Sequence, residues 1–170
     1  MDYQIQLTTF EPQLTAVIRA SASLSQLTQV VPQLCGEVWT YMRSTTEPRP
    51  GRHLALYWDD VINLEVGAEV SQPFTGNERV ICSKTPGGLV ATTVHIGPYN
   101  RLGDAHDAVI QWCTKQGHKL AGPRWEIYGH WTDDPAQLRT DVYWLLPEPF
   151  DISACLRQND TCHPRTTHGI

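Results

Sequence analysis

This sequence of 170 residues lacks the features that are typical of several classes of protein. It contains no cluster of Lys and Arg, and its formal net charge is -5, so it lacks the positive surface that neutralises phosphates in nucleic-acid-binding proteins. It contains neither an N-terminal apolar segment typical of a signal peptide nor an apolar run long enough to cross a bilayer. We therefore expect a cytoplasmic protein without direct contacts to nucleic acid or membrane.

The sequence also lacks a CxxC pair, and its five cysteines are an odd number. Cys155 and Cys162 lie near His163 in the polar segment 151–170, but this spacing fits no common zinc site. The pattern favours free, mostly buried thiols in a reducing compartment. We predict neither a metal ion nor a cofactor.

What the sequence does contain is a globular composition that is rich in aromatic side chains. Hydrophobic residues make up 41% of it and charged residues 18%. Six Trp and six Tyr are many for this length, and they require either a large core or a pocket lined by rings.

Two segments have the apolar spacing of amphipathic helices. The first runs from Leu27 to Arg43, and Pro32 is expected either in its first turn or at the start of the helix proper. The second runs from about Arg101 to Gln116. Alternating segments before and after each helix predict strands. Each half of the chain, 1–75 and 76–150, therefore has the order strand, helix, strand, strand.

Short matches between the halves occur in the same order along the chain. We compared the following pairs of segments: 17–20 with 94–97, 56–57 with 127–128, and 73–74 with 149–150. Ordered agreement at three places favours a tandem duplication over chance. We predict an α+β fold in which two units form one antiparallel sheet, with both helices on one face and a ligand cleft on the other. Tyr57 and Tyr128 are equivalent residues on the middle strands.

The segment Arg124–Tyr128 carries the acid on which the functional prediction depends. Side chains alternate along a strand, so Trp125 and Ile127 face one side while Glu126 and Tyr128 face the other. On a wet surface Glu126 would merely be solvated. Inside a concave surface it would hold a cation or act as an acid or a base.

Three motifs together resemble the GyrI-like small-molecule-binding family, which also supplies effector-binding domains of AraC-type and MerR-type regulators. The resemblance covers residues 1–150 and leaves 151–170 as a C-terminal tail. The three motifs are Val94-His95-Ile96-Gly97-Pro98-Tyr99, Gly122-Pro123-x-x-Glu126-Ile127-Tyr128, and Leu138-Arg139-Thr140-Asp141-Val142-Tyr143.

The resemblance implies a central ligand cleft with Glu126 at its floor. Its implied aromatic partners are Tyr57, Trp58, Tyr128 and Tyr143. Trp39 and Trp112, which occupy matching places in the two helices, could form walls of the cleft, although their position also fits the core.

Three functions fit these observations. The first is a stand-alone domain that binds amphipathic, often cationic, small molecules, and so senses or sequesters a toxic compound. The second, which the resemblance implies, is a hydrolase of electrophilic cyclopropane compounds, with Glu126 as general base and Tyr143 or Tyr128 orienting water or donating a proton.

The third function is a protein-binding module with an acidic face, but the paired acids at 59–60 and 133–134 need only form turns. No helix-turn-helix segment fits before Leu14. We therefore expect a stand-alone monomer or weak dimer whose partner is a small molecule.

Overall fold

The computed structural model describes residues 2–60 and 62–147, and all structural statements below refer to these residues. The predicted tail and its cysteines lie outside them. The described residues form eight strands and two α-helices. In chain order these are β1 (Gln6–Phe10), β2 (Leu14–Ser21), α1 (Leu27–Ser44), β3 (Pro50–Tyr57), β4 (Asn63–Val70), β5 (Ile81–Lys84), β6 (Gly88–Ile96), α2 (Leu102–Gln116), β7 (Arg124–Tyr128) and β8 (Arg139–Leu145).

All eight strands belong to one sheet with the order β1-β6-β8-β7-β3-β4-β2-β5, and every pairing is antiparallel. The series β2-α1-β3-β4 occurs again as β6-α2-β7-β8, which confirms the predicted α+β fold with a repeated unit. The first strand of each half is exchanged, because β1 pairs with β6 and β5 pairs with β2. The halves meet at β3 and β7, where Ala55 is paired with Glu126.

Both helices pack on one face of the sheet through apolar stripes. Helix α1 lies on β2, β3 and β4, whereas α2 lies on β6 and β8. Burying each large aliphatic side chain stabilises the fold by about 1.5–3 kcal/mol. Neither helix makes extensive contact with β7, so this strand lies between them. The buried stripes are Val31, Leu34, Val38 and Met42 on α1, and Leu102, Ala105, Val109 and Cys113 on α2.

Helix α1 starts earlier than we predicted from the position of Pro32. Pro32 lies in the second turn, because the helix begins at Leu27, directly after a 3-10 turn. A proline at this position has no N–H to donate to the carbonyl of Thr28. The burial of the α1 stripe against the sheet outweighs the lost hydrogen bond.

The face opposite the helices is filled by its own side chains. Trp125 is completely buried there, beside Leu54 and Ile127. The Tyr143 ring stacks on Trp125, with centroids 5.5 Å apart and planes at 15°, and Phe10 packs edge-on against both rings. These side chains occupy the surface where the sequence placed the cleft.

In the described part of the chain, neither helix combines the length and the apolar character that crossing a membrane would require.

Candidate functional site

Glu126 lies at the centre of the sheet, on β7, and only 6% of it is exposed. Its neighbours on the two adjacent strands are Ala55 and Val142, both fully buried. The strand register therefore surrounds the carboxylate with short apolar side chains. Polar contacts have to come from residues further along the strands or from the helices.

Three side chains donate hydrogen bonds to the Glu126 carboxylate. The hydroxyls of Tyr128 and Tyr57 donate to Oε2 over 2.5 Å and 3.2 Å. Nε2 of His106, on α2, lies 2.7 Å from Oε1. An ionised carboxylate only accepts hydrogen bonds, so three converging donors suit the charged form. The contact with His106 also places Glu126 on the helical face of the sheet, not on the opposite face where the sequence predicted it.

The tautomer of His106 is set by Trp144. The indole N–H of Trp144 donates to Nδ1 of His106 over 3.0 Å. Because an indole nitrogen can only donate, Nδ1 must accept, and the ring proton is on Nε2. His106 is therefore a neutral donor to Glu126. We call Glu126, Tyr57, Tyr128, His106 and Trp144 the Glu126 cluster.

The other titratable groups around the carboxylate are held in their protonated forms. Burial, with the Glu126 charge as the second cause, raises the pKa of Tyr57 and of Tyr128 well above the usual value. The same two causes raise the pKa of the Cys35 thiol, on α1, to about 12. Since both phenols and the thiol stay neutral, they add no second negative charge beside Glu126.

One cation lies next to the cluster. Arg124 precedes Glu126 by two residues on β7, and its Cζ lies 5.2 Å from the ring centroid of Tyr57 and 5.0 Å from that of Trp144. Its Nη1 also donates to the carboxylate of Asp60 over 3.3 Å. Both rings contribute cation–π contacts of about 0.5–2 kcal/mol.

We call the region above β7, which neither α1 nor α2 covers extensively, the interhelical groove. Its floor is the Glu126 cluster, and Tyr128 contacts the hydrophobic cores under both helices. Cys35 and Trp39 lie one turn apart on the same flank of α1. Exposed Tyr99 forms the opposite rim, edge-on to Tyr128 with centroids 5.5 Å apart.

The structure brings some of the predicted site residues together. Tyr57 and Tyr128, equivalent in the duplication, both donate to the same oxygen of Glu126. Trp39 lies on the flank of α1 and packs against His53 at a centroid distance of 5.4 Å. Trp112 is half-buried and stacks on His118 instead, at 5.7 Å.

Tyr143 and Trp58 do not join the Glu126 cluster. Tyr143 is paired with Trp125 across β7 and β8, so it points to the face opposite Glu126. Trp58 follows Tyr57 and alternation turns it away from Tyr57. It lines a depression of about 420 Å³ with Arg19 and Glu65 on the opposite face.

Sequence reasoning missed three members of this region. His106 lies next to the buried stripe of α2, which contains Leu102 and Ala105. The stripe shows which side of α2 faces the sheet, but the residue that His106 contacts is known only when the sheet is known. Trp144 lies in the core and faces away from Tyr143, and its N–H reaches His106. Arg124 shares the face of Glu126 by strand alternation, and that signal was available in the sequence.

Within residues 2–60 and 62–147, no group of three or more His, Cys, Asp or Glu side chains lies close enough together to hold a metal ion. Cys35, Cys82 and Cys113 are free thiols.

Several solved structures share this fold. The C-terminal domain of EcmrR superposes with a TM-score of 0.74 at 20% identity, covering 88% of this chain and 100% of that one. SAV2435 bound to tetraphenylphosphonium gives 0.65 at 12% identity, covering 87% and 95%. A hydrolase from Listeria innocua gives 0.54 at 13% identity, covering 85% and 92%. At these identities the likeness concerns the fold alone.

No curated protein matches the sequence significantly. The family model described as the GyrI-like small molecule binding domain, in contrast, matches residues 3–147, which is nearly the whole described chain. The chain therefore belongs to the GyrI-like small-molecule-binding domain family.

Proposed function

We propose that the interhelical groove binds amphipathic aromatic small molecules, with the Glu126 carboxylate as the polar anchor at its floor. A bound compound inserts its rings between the helices and places a positive or hydrogen-bond-donating group over Glu126. In this role the protein senses or sequesters a toxic compound. The observation that carries the proposal is a buried carboxylate on the one central strand that neither helix covers extensively.

The energetics of Glu126 support this role. Removing a carboxylate from water costs several kcal/mol, which the three hydrogen bonds only partly offset. Three of about four acceptor positions are filled, so one remains for a ligand. If Glu126 served only to link α2 to the sheet, its hydrogen bond with His106 would be sufficient.

The surroundings of Glu126 support an aromatic ligand. Tyr99 and Trp39 expose large rings along the groove, and a ring face attracts a cation by about 0.5–1 kcal/mol at an exposed site. The fold neighbour SAV2435 is bound to tetraphenylphosphonium, an aromatic cation. We extend that ligand class to this chain as part of the proposal.

A titration with the cationic dye rhodamine 123, followed by fluorescence anisotropy and competed by tetraphenylphosphonium, tests the proposal. We expect saturable binding that Glu126→Gln weakens about tenfold or more. Glutamine keeps the shape, and the two tyrosine hydroxyls can rotate to accept from its amide, so the fold should persist. Tyr143→Phe, on the opposite face, serves as the matched control. Equal binding by wild type and Glu126→Gln would refute the proposal.

A second candidate function is favoured by the hydroxyl of Tyr128, 2.5 Å from Oε2 of Glu126. In a hydrolase of electrophilic cyclopropane compounds, Glu126 removes a proton from the attacking water at its remaining acceptor position. Tyr128 then donates its proton to the leaving ring carbon and recovers one from the protonated Glu126, to which it is hydrogen-bonded. Tyr143, the other tyrosine considered, lies on the wrong face for this step.

Incubation with a cyclopropane conjugated to an enone tests the hydrolase function, with product separated by chromatography. Hydrolysis by wild type that falls about a hundredfold in Glu126→Gln and in Tyr128→Phe would support it. Identical product formation with and without protein, combined with Glu126-dependent dye binding, would leave the binding function alone.

A further inference from the structure

Arg124 gives the interhelical groove a resident positive charge. On β7 it lies two residues from Glu126, on the same face, which separates their Cα atoms by about 6.6 Å. Its guanidinium stays charged at all relevant pH values. Tyr57 links the two charges, because its hydroxyl donates to Glu126 while its ring contacts Arg124.

Two fixed charges of opposite sign therefore lie along one face of β7. Glu126 supplies one negative charge and Arg124 one positive charge. His106 is neutral because its Nδ1 accepts from Trp144. A lipophilic cation that reaches Glu126 is repelled by Arg124 a few ångströms away. A molecule carrying both signs of charge meets a partner for each.

The position of Asp60 supports an anionic subsite at Arg124. The Arg124 side chain is only 12% exposed, yet the Asp60 carboxylate, itself 96% exposed, reaches its Nη1 at 3.3 Å. A carboxylate can thus approach the guanidinium from the solvent side. An exposed ion pair of this kind contributes little stability, so an anionic group of a ligand can replace Asp60.

We propose that Arg124 is the specificity-determining residue of this site, and that it selects zwitterionic aromatic compounds over singly charged cations. The positive or donor group of the ligand lies over Glu126, its anionic group replaces Asp60 on Arg124, and its rings lie in the interhelical groove. The inference rests on the proposed binding function, and it adds the class of ligand.

Two dyes with the same fluorophore provide the test. Rhodamine 110 carries a free carboxylate and is zwitterionic, whereas rhodamine 123 is its methyl ester and a cation. Fluorescence anisotropy at pH 7.5 should give a dissociation constant about tenfold lower for rhodamine 110 with the wild type. Arg124→Gln should abolish this preference and bind rhodamine 123 at least as tightly as the wild type does.

Three further variants separate charge from structure. Arg139→Gln removes an arginine that pairs with Asp141 on the opposite face, and it should keep the wild-type preference. Arg124→Lys keeps the charge and should retain a weaker preference. Asp60→Asn removes the competing carboxylate, leaves the ring contacts intact and should tighten rhodamine 110 binding, so the test stands even if Arg124→Gln fails to fold.

The outcomes distinguish the two proposals. Glu126-dependent binding of rhodamine 123 with no preference for rhodamine 110, or with a preference that persists in Arg124→Gln, overturns the role of Arg124 and leaves the binding function standing. Failure of the wild type to bind either dye overturns both.

Discussion

Trp144 holds His106 in the tautomer that donates to Glu126, through a 3.0 Å hydrogen bond from its indole N–H to Nδ1. Trp144, on β8, thus determines which nitrogen of His106 carries the proton. His106, on α2, in turn donates to Glu126. The edge-on packing of the two rings, with centroids 5.7 Å apart, fixes the imidazole plane as well.

The first prediction concerns this bond. Trp144→Phe keeps a ring in the core but removes the donor that makes Nδ1 of His106 an acceptor, so the ring proton is no longer restricted to Nε2. We expect the nitrogen-15 shifts of His106 to change from a single neutral tautomer to a mixture, with a loss of about 1–3 kcal/mol in the free energy of unfolding. Trp112→Phe, which alters a ring stacked on His118, is the control. An unchanged His106 spectrum in Trp144→Phe would contradict the tautomer assignment.

The second prediction compares two tyrosines. Tyr57→Phe removes one of three donors to a buried charge, and should lower the free energy of unfolding by about 1.5 kcal/mol. Tyr143→Phe removes a hydroxyl from the opposite face, away from Glu126, and should change it by less than about 0.5 kcal/mol. Urea unfolding measures both. Equal losses in the two variants would contradict a stabilising role of the hydrogen bond between Tyr57 and Glu126.

The third prediction concerns alkaline pH. The pKa values of Cys35, Tyr57 and Tyr128 are raised in the folded protein from their ordinary 9.0 and 10.0. Unfolding therefore releases protons above about pH 9, and the stability that these three groups contribute should be constant below that pH and fall above it. Each such group contributes a slope of up to about 1.4 kcal/mol per pH unit.

Urea midpoints at pH 7, 9, 10 and 11 measure this effect. Cys35→Ala should lose less stability between pH 9 and pH 10 than the wild type, because its share of proton release is gone. A stability that rises with pH in this window would show that the thiol and the phenols are not held protonated by the fold.

The fourth prediction separates the two exposed tryptophans of the predicted site. Trp39→Ala, on the groove flank of α1, should weaken rhodamine 123 binding by about two- to fivefold, as the loss of one exposed aromatic contact implies. Trp58→Ala should leave the dissociation constant unchanged, because Trp58 lies on the other face with Arg19 and Glu65. Anisotropy titrations of both variants measure the two dissociation constants. A larger effect of Trp58→Ala than of Trp39→Ala would indicate that the ligand binds on the opposite face.

Short-range pattern made a large part of this site predictable. Alternation along one strand placed Glu126 and Tyr128 on the same side, because successive side chains of any strand point to opposite faces. The duplication made Tyr57 the equivalent of Tyr128, and the two do meet at one oxygen. The placement of Tyr143 beside Glu126 was wrong, because its face depends on the register between β7 and β8. That register pairs Tyr143 with Trp125 and cannot be read from the local pattern.

The sequence by itself determined the repeated α+β unit, the helices and strands, and the face that Glu126 shares with Tyr128, since apolar periodicity and turn residues act over a few positions. Only the tertiary structure decided that this face lies under the helices, because Trp125 fills the other side and the α1 and α2 stripes have to be buried against the sheet. The same packing brought His106, and with it Trp144, to the acid. Contacts between residues far apart in sequence depend on register and on helix placement, which local pattern leaves open.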